Sequence, residues 1–481
     1  MQSTSLLSIE TLKQDIHAAL KAWQSGHNTP ENLLESLLLV QIERQKREQA
    51  SDHASLLRLA TNEVLLEGIN KLAKQDEMAA NILQMRFPDN NPLLMVANKF
   101  NVSEHTVSRM QREAIEQLTR IIAHEEEQIR IRHINEIESK LPPSSYEQLF
   151  GLTDLQTKLL AMFRQAASPW VVAIIGIGGI GKTALADSIT RQIIREFLFA
   201  DVIWLRVEYQ SLSGRSTSPN ATYEYIVGDL ARHFWPEAAP DISNFIELQA
   251  RVRQQLKTRP YLVIIDNLET QPDISFLQAY LNDLAQPTKF LVTSRARPTE
   301  STQVYALTVD ELSEADSASL MRQHATGIGL EAFAQATEDD VANIYSVTGG
   351  NPLAIKLVIS LLDMQPLPEI LSNLQKGQSG ASANLYKYIY WQTWRTLSPQ
   401  AQALLQAMPL LSEMGGSTEY LQTISGLTET EIWPALQELR SRSLLEVHGS
   451  LQQRRYGIHR LTETFLQTEI INWPGIPSET T

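Results

Sequence analysis

The chain has 481 residues, of which 43% are hydrophobic and 20% are charged, and it contains no cysteine. A globular protein of several domains is therefore expected, and disordered, collagen-like and disulfide-stapled chains are excluded, as are thiolate zinc sites and thiol nucleophiles. The formal net charge of −14 disfavours non-specific binding of polyanions by the whole molecule, although a locally basic face is compatible with it.

The sequence shows no targeting or membrane-spanning segment. Its first residues include Glu10 and Asp15 and lack the apolar run of a signal peptide. A membrane-spanning helix needs about 18 or more consecutive apolar residues, and no such stretch occurs. We therefore expect a soluble, cytoplasmic protein.

Residues 1–140 have the apolar spacing of α-helices and are predicted to form an all-helical module. Between Leu56 and Leu72, apolar residues recur every three to five positions. Pro142 and Pro143 interrupt this pattern, and after them strand-like apolar runs alternate with amphipathic helices. The alternation predicts a parallel sheet covered by helices.

Residues 77–122 have the pattern of a helix-turn-helix. The pattern predicts helices at Met78–Phe87 and Leu93–Phe100, and a third helix that is capped by Ser103 and has Glu104 in its first turn. The segment Val-Ser-Glu-His-Thr-Val-Ser-Arg at residues 102–109 also resembles the DNA-contacting fourth region of bacterial sigma factors.

If the third helix is a recognition helix, we expect DNA contacts by Arg109 and Arg112, which lie one turn apart on it. Charge argues against this role, because residues 1–140 contain 16 basic and 20 acidic side chains, whereas DNA readers present a basic face. A protein-interaction adaptor or a plain helical bundle is therefore an equal alternative to DNA binding.

The third helix is predicted to continue as a stalk towards Lys140. Apolar residues from Val107 to Ile137 keep helical spacing past the acidic triplet Glu125-Glu126-Glu127. We expect this triplet to form a solvated acidic face.

Residues 171–186 combine a strand-like run, a glycine-rich loop and a helical segment, and they match the P-loop pattern Gly-x-x-x-x-Gly-Lys-[Ser/Thr]. Glycines allow close backbone approach, so successive N–H groups and the helix N-terminus bind phosphates. Lys182 would reach the β- and γ-oxygens of ATP, and Thr183 would bind Mg²⁺. The predicted nucleotide-binding residues are Gly176, Gly178, Gly179, Ile180, Gly181, Lys182, Thr183 and Ala184.

A second apolar strand, residues 261–265, is followed by Asp266. An acid at the carboxyl end of a strand beside the P-loop would hold Mg²⁺ together with Thr183. The next residue is Asn267, so Glu269 is the nearby acid that remains to orient an attacking water. We therefore expect slow hydrolysis.

A third strand is predicted at residues 289–295 and finishes in Arg295. An arginine there would contact the γ-phosphate and distinguish a triphosphate from a diphosphate. Together with Lys182, Asp266 and Glu269, it completes the predicted catalytic set.

With these blocks in order, the sequence resembles a STAND-class NTPase of the NB-ARC type, the nucleotide switch of plant and bacterial immune receptors and apoptosis adaptors. The resemblance spans roughly residues 146–470. It is carried by residues 176–183, 199–207, the Asp266 strand, Thr293-Ser294-Arg295, Gly349-Gly350-Asn351-Pro352-Leu353-Ala354 and Ile458-His459-Arg460.

The resemblance implies that Pro352 packs on the adenine and that His459 contacts the β-phosphate of ADP. Three positions depart from the family pattern. The adenine-side arginine is absent after Gly151, Asn267 stands at the second acid position, and Arg460 replaces the aspartate that helps to hold the resting state.

The last third of the chain has the pattern of a winged helix. Amphipathic helices precede two short strands, predicted at Leu444–Val447 and Arg455–Ile458, with a turn at His448-Gly449-Ser450. The nearby arginines make this wing locally basic, but in the resembling family the module is a regulatory lid.

We predict a multidomain protein of the α/β plus α class. The predicted modules are a helical effector or adaptor at residues 1–140, a P-loop NTPase domain at 141–306, a helical lid at 307–375, a winged helix at 384–470 and a tail at 471–481.

The leading functional hypothesis is a signalling switch in bacterial regulation or defence, bound to ADP at rest and to ATP and Mg²⁺ as an active self-oligomer. A partner chain, or a longer native chain, would supply the sensor. The main alternative is an ATP-dependent transcription regulator that binds DNA through its helix-turn-helix. A constitutive mechanical ATPase is disfavoured by Asn267.

Overall fold

The computed structural model describes residues 8–23, 33–46, 53–167, 169–207, 219–237, 245–268, 280–295, 304–377, 390–391, 393–395, 397–411, 415–442, 444–449, 453–458 and 460–471. The chain divides into two compact units, Met1–Glu136 and Ile137–Thr481. None of the described helices combines the length and apolar character needed to cross a lipid bilayer.

The first unit is helical, as predicted. Its core is a cluster of buried aliphatic side chains at helical spacing, including Leu12, Ile16, Leu65 and Leu118. The helices are α1 (Ile9–Lys21), α2 (Leu38–Gln45), α3 (His53–Ala73), α4 (Glu77–Arg86), α5 (Leu93–Phe100) and α6, which runs from Glu104 to Lys140 and so continues beyond this unit.

The bounds of α4, α5 and the start of α6 agree with the predicted helices. α5 ends at Phe100, and the next residue, Asn101, adopts a left-handed conformation with φ of 56°. The hydroxyl of Ser103 accepts a hydrogen bond of 3.2 Å from the Thr106 N–H, as expected for the N-cap of α6. DNA binding by these helices stays a prediction.

The acidic triplet of α6 is not the solvated face that its charge predicts, and Glu126 is the reason. Its side chain is only 3% exposed. Its carboxylate accepts hydrogen bonds from the Leu38 N–H at 2.9 Å and the Leu39 N–H at 3.1 Å, and it pairs with Arg130. Glu126 therefore caps the N-terminus of α2, where unpaired N–H groups favour an anion.

We predict that Glu126→Ala destabilises the first unit by about 2–4 kcal/mol, because it removes the carboxylate that accepts from two amides of α2 and pairs with Arg130. Hydrogen exchange of the Leu38 and Leu39 amides and urea denaturation measure the effect. The neighbouring exposed Glu127→Ala is the matched control. Equal protection in both variants would contradict the capping role.

The second unit contains a parallel sheet in the strand order β2-β3-β4-β1-β5. All neighbouring strands in it run parallel, with Val171 opposite Phe290 on one side of β1 and Val304 on the other. This confirms the predicted parallel-sheet core. The strands are β1 (Val171–Ile175), β2 (Asp201–Arg206), β3 (Tyr261–Leu268), β4 (Lys289–Ser294) and β5 (Val304–Thr308).

β5 extends past residue 306, where the NTPase domain was predicted to end. It pairs along its full length with β1, so the sheet continues to Thr308. The helices of this region are α7 (Thr153–Arg164), α8 (Lys182–Glu196), α9 (Pro219–Phe234) and α10 (Phe245–Thr258). A core of strand residues and of side chains from α9 and α10 includes Ile203, Val252 and Ile265.

After the sheet the chain is mainly helical and shares one hydrophobic core from Leu312 to Leu466. Its helices are α11 (Glu314–Ile328), α12 (Glu338–Thr348), α13 (Pro352–Leu361), α14 (Leu367–Gly377), α15 (Pro399–Ala407), α16 (Thr418–Ser425), α17 (Glu429–Ser441) and α18 (Arg460–Phe465). The predicted modules 307–375 and 384–470 thus pack on a common core.

The hairpin of the predicted wing is present, but two of the predicted turn residues, His448 and Gly449, belong to its first strand, and Ser450 lies outside the described residues. β6 (Glu446–Gly449) pairs antiparallel with β7 (Arg454–Gly457), and His448 lies opposite Arg455. The predicted turn is wrong because the ladder continues through His448 and Gly449. Whether this region acts as a winged helix stays a prediction.

A buried arginine connects the predicted modules 307–375 and 384–470, which share this core. Arg442, which is 6% exposed, follows α17. It donates hydrogen bonds to Asp363 Oδ2 at 3.0 Å and to the Ser360 carbonyl at 3.4 Å, both at the C-terminal end of α13. This contact ties the residues after α13 to the helix that precedes the hairpin.

We predict that stability falls in mild acid because of His324. Its Nε2 lies 3.3 Å from the Ser360 hydroxyl, and burial, with the Lys356 cation nearby, lowers the pKa of His324 to about 4. An unfolded histidine has a pKa of about 6.5, so between these values the unfolded chain binds a proton that the folded chain does not. Stability is therefore lost as pH falls through this window.

Melting temperatures measured from pH 7.5 to pH 4.5 test this expectation. His324→Gln should flatten the dependence, because glutamine does not titrate. The exposed His124→Gln is the control and should leave the slope unchanged. Parallel slopes in the His324→Gln variant and the parent protein would show that another group is responsible.

Candidate nucleotide-binding site

The P-loop connects β1 to α8 at the carboxyl edge of the sheet. β1 ends at Ile175 and α8 begins at Lys182, so the predicted strand, loop and helix are confirmed. Gly179 and Gly181 have φ of 73° and 104°, values that favour glycine. The structure therefore places the N-terminus of α8 and the loop amides where they suit an anion.

Lys182 contacts the loop that it follows. Its Nζ donates hydrogen bonds of 2.9 Å to the carbonyls of Gly176 and Ile177. The start of the loop is also held by β4, since the Gly176 N–H donates to the Ser294 carbonyl at 3.2 Å. These contacts hold the ammonium group beside the loop.

Asp266 lies on β3, which is not a neighbour of β1, because β4 runs between them. The acid nevertheless meets the P-loop, since the Thr183 hydroxyl donates to Asp266 Oδ1 at 2.9 Å. Asp266 is 3% exposed. A hydroxyl and a carboxylate in contact at the end of a P-loop are the donor set that a hydrated Mg²⁺ requires, so the residues present fit the predicted metal.

Thr293 is a site residue whose role the sequence does not reveal. Its hydroxyl donates to Asp266 Oδ1 and accepts a hydrogen bond of 2.8 Å from the Asn267 N–H. Asn267 has φ of 81°, and its amide donates to the Val207 carbonyl at 2.9 Å. In the sequence, Thr293 stands after the apolar run of residues 290–292 and in the block Thr293-Ser294-Arg295, and neither feature indicates a contact with Asp266.

The remaining predicted catalytic residues are placed in part. Arg295 follows β4 directly and is exposed at the same edge of the sheet as Asp266. Glu269 and His459 lie outside the described residues. Their predicted roles stay predictions, as do those of Ile180, which is buried, and Ala184, which lies in the first turn of α8.

Pro352 begins α13 and lies next to a residue that contacts the P-loop. The side chain of Asn351 donates a hydrogen bond of 3.0 Å to the Gly178 carbonyl. The contact of Asn351 with Gly178 therefore places Pro352 near the candidate site. Its predicted contact with adenine stays a prediction.

Arg109 and Arg112 belong to the first unit. Both are exposed on α6, where Arg109 Nε lies 3.9 Å from Glu113 Oε1 and Arg112 Nε donates to the Ser108 carbonyl at 3.4 Å. These contacts stay within α6. The DNA contacts predicted for the two arginines remain predictions.

In the comparison with known protein families, residues 152–327 match the NB-ARC domain. The match confirms the predicted NB-ARC resemblance over this range, from α7 to the end of α11. It does not include residues 77–122, for which the resemblance to sigma factors stays a prediction.

Several curated proteins are similar to this chain. The disease resistance protein RPV1 of Vitis rotundifolia is 24% identical over 242 residues, which cover 48% of this chain and 16% of that protein. The regulatory protein AfsR of Streptomyces griseus is 29% identical over 194 residues, which cover 40% of this chain and 18% of that protein. The chain thus spans less than a fifth of the length of these relatives.

Among solved structures, a STAND protein with a tetratricopeptide repeat sensor from Pyrococcus horikoshii aligns with a TM-score of 0.41 and 17% identity. The alignment covers 68% of this chain and 43% of that one.

We predict that Lys182→Ala abolishes tight nucleotide binding, because it removes the cation that would face the phosphates. The melting temperature should change little, since the Lys182 side chain is not part of a hydrophobic core. Isothermal titration with ADP and ATP measures the binding. The exposed Lys158→Ala, in the same unit, is the control. Undiminished affinity in Lys182→Ala would show that the loop is not the phosphate site.

Proposed function

We propose that this chain, whose residues 152–327 form an NB-ARC domain of the STAND class of P-loop NTPases, is a nucleotide-dependent signalling switch. The observation that carries the proposal is the meeting of three parts at one loop. The P-loop lysine, the buried Asp266 and the N-terminus of α13 all contact residues 176–183. A nucleotide there would touch both the sheet and the helical part of the second unit.

Each residue of the site has a proposed role. The loop from Gly176 to Ala184 binds the phosphates of ATP or ADP, and Thr183 and Asp266 hold Mg²⁺. Bound Mg²⁺ would neutralise phosphate charge. Pro352 contacts the adenine, and Arg295 contacts the γ-phosphate from the end of β4.

The site favours slow hydrolysis. Asn267 stands where a second acid would lie, and its side-chain amide is engaged by the Val207 carbonyl. Its backbone N–H is engaged by Thr293. Without a second acid at this position, Glu269 is the residue that we propose to orient the attacking water. Slow turnover suits a switch, since the nucleotide state then lasts long enough to be read.

In the proposed cycle the ADP form is the resting state and the ATP form self-associates. His459 would contact the β-phosphate of ADP, and Arg460, in place of the family's aspartate, would weaken that resting state. The names of the relatives, disease resistance proteins and a regulatory protein, support a role in defence or regulation. Residues 1–140 would be the output or adaptor module, and a protein partner would supply the sensor in the cytoplasm.

The alternative function, a transcription regulator that binds DNA through residues 77–122, has less support. Arg109 is paired with Glu113 on the same helix face, and acidic side chains outnumber basic ones in residues 1–140. High affinity for duplex DNA requires a basic face that neutralises the phosphates.

We predict that ATP with Mg²⁺ promotes self-association of the chain while ADP does not. Arg295→Ala should remove this difference, because the variant lacks the proposed γ-phosphate contact. Sedimentation velocity in ADP, ATP and a non-hydrolysable ATP analogue measures it.

The matched control is Arg253→Ala, an exposed arginine on α10 that pairs with Asp283 on the surface. This variant should respond to ATP as the parent protein does. Identical sedimentation of the parent protein in all three nucleotides would rule out the switch.

A further inference from the structure

The N-terminus of α13 contacts two successive backbone carbonyls of the P-loop. Asn351 Nδ2 donates to the Gly178 carbonyl at 3.0 Å, and the Leu353 N–H lies 3.4 Å from the Gly179 carbonyl. A peptide unit is planar, so fixing its carbonyl also fixes the direction of the next N–H group. The two contacts therefore orient the N–H groups of Gly179 and Ile180.

The side chain of Asn351 serves both helix and loop. It is 3% exposed, and its Oδ1 accepts hydrogen bonds from the Leu353 N–H at 3.0 Å and the Ala354 N–H at 3.3 Å. This is the N-cap of α13. The opposite atom of the same amide, Nδ2, holds the loop. Asparagine carries its acceptor and its donor on two different atoms, whereas an ionised aspartate has no donor and a serine has both functions on one oxygen.

The approach of α13 to the loop leaves no room for a side chain at Gly179. A Cβ at this position would lie 2.8 Å from Leu353 Cβ and 3.2 Å from Asn351 Oδ1. Gly179 also has φ of 73°, so the glycine is required by conformation and by contact. The helix and the loop are thus fitted directly to each other.

Asn351 completes a set of contacts that Lys182 begins. Lys182 Nζ takes the carbonyls of Gly176 and Ile177, and Asn351 Nδ2 takes that of Gly178. Three consecutive carbonyls of the loop are therefore fixed by side chains. One of these side chains comes from the P-loop itself, but the other comes from a helix far along the chain.

We propose that Asn351 is a positioning residue of the phosphate site, which sets the loop amides for nucleotide only while the N-terminus of α13 is docked on the loop. This inference rests on the proposed function and adds to it a direct link between helix position and phosphate affinity. Linkage requires that the link be reciprocal: docking of α13 strengthens nucleotide binding, and bound nucleotide strengthens docking of α13. Displacement of α13 would then release nucleotide without any change at Lys182.

The decisive variant is Asn351→Ser, because a serine hydroxyl still caps α13 but does not offer the amide donor to Gly178. Release of a fluorescent ADP analogue should be faster by about fivefold or more, the factor that corresponds to one lost hydrogen bond of about 1 kcal/mol. Hydrogen exchange of the ligand-free protein should also be faster at residues 178–180. A purely structural role would lower the melting temperature without these local changes.

Two control variants separate the possible causes. Asn343→Ser is the same substitution at an exposed position of α12 and should change nothing. Thr337→Ala removes the capping hydroxyl of α12, which accepts the Asp340 N–H, and shows what a lost cap alone does to melting temperature and ADP release. If Asn351→Ser lowers the melting temperature, Asn351→Asp, which also caps the helix and also lacks the amide donor, should show the same faster exchange at residues 178–180.

The outcomes distinguish this inference from the proposed function. Wild-type ADP release and wild-type exchange at residues 178–180 in Asn351→Ser would overturn the positioning role, even if Lys182→Ala loses nucleotide. If the parent protein binds no nucleotide, the proposed function fails. The ligand-free exchange comparison then still decides whether Asn351 orders the loop.

Discussion

The hydrogen bond between the Thr183 hydroxyl and Asp266 is the contact on which the candidate site depends. It joins the helix after β1 to the end of β3, although β4 separates these strands. The gap is bridged because Thr293, near the end of β4, donates to the same carboxylate oxygen, while Ser294 accepts from the Gly176 N–H. One strand therefore aligns the P-loop on one side and the acid on the other.

This arrangement explains why β4 ends in polar residues after an apolar run. Phe290, Leu291 and Val292 are buried in the sheet, as a central strand requires. Thr293 and Ser294 are buried too, but at the carboxyl edge, where their polar atoms find partners. Arg295 comes next and is exposed at that edge. The strand thus changes from core to site within a few residues.

Sequence patterns predicted the parallel sheet, the strand–loop–helix of the P-loop and the helices of the first unit, because these depend on local periodicity and on glycine spacing. They missed contacts made between distant positions. Glu126 lies in an acidic run that predicts a solvated face, yet it meets the N-terminus of α2, which is 88 residues away in sequence at Leu38.

Asn351 and Thr293 were missed for the same physical reason. Each belongs to a recognised block, but its role depends on which backbone atom of another element lies opposite. The Gly178 carbonyl is 173 residues from Asn351 in sequence, and no periodicity encodes that pairing. The shifted wing turn shows a smaller limit: Gly449 suggests a turn, yet the ladder with β7 extends through it.

The second unit has two separate hydrophobic clusters, and their positions indicate which movement within the unit would require the least free energy. The residues from Leu312 to Leu466 share one hydrophobic cluster, and strand residues such as Ile203 and Val292 belong to another. Separating side chains within either cluster would expose apolar surface, at roughly 25 cal/mol per Å². Polar contacts such as that of Asn351 with Gly178 exchange with water at a smaller net cost.

The covalent connection between the two clusters is short. Val309 is held to the sheet by its N–H bond of 2.7 Å to the Ile175 carbonyl, and Leu312 is held to the helical part by its N–H bond of 3.0 Å to the Gly350 carbonyl. Asp310 and Glu311 lie between these two bonded residues. A rotation there would lift α13 from the loop while both cores stay intact, so that the few hydrogen bonds at the P-loop would set how readily the second unit opens.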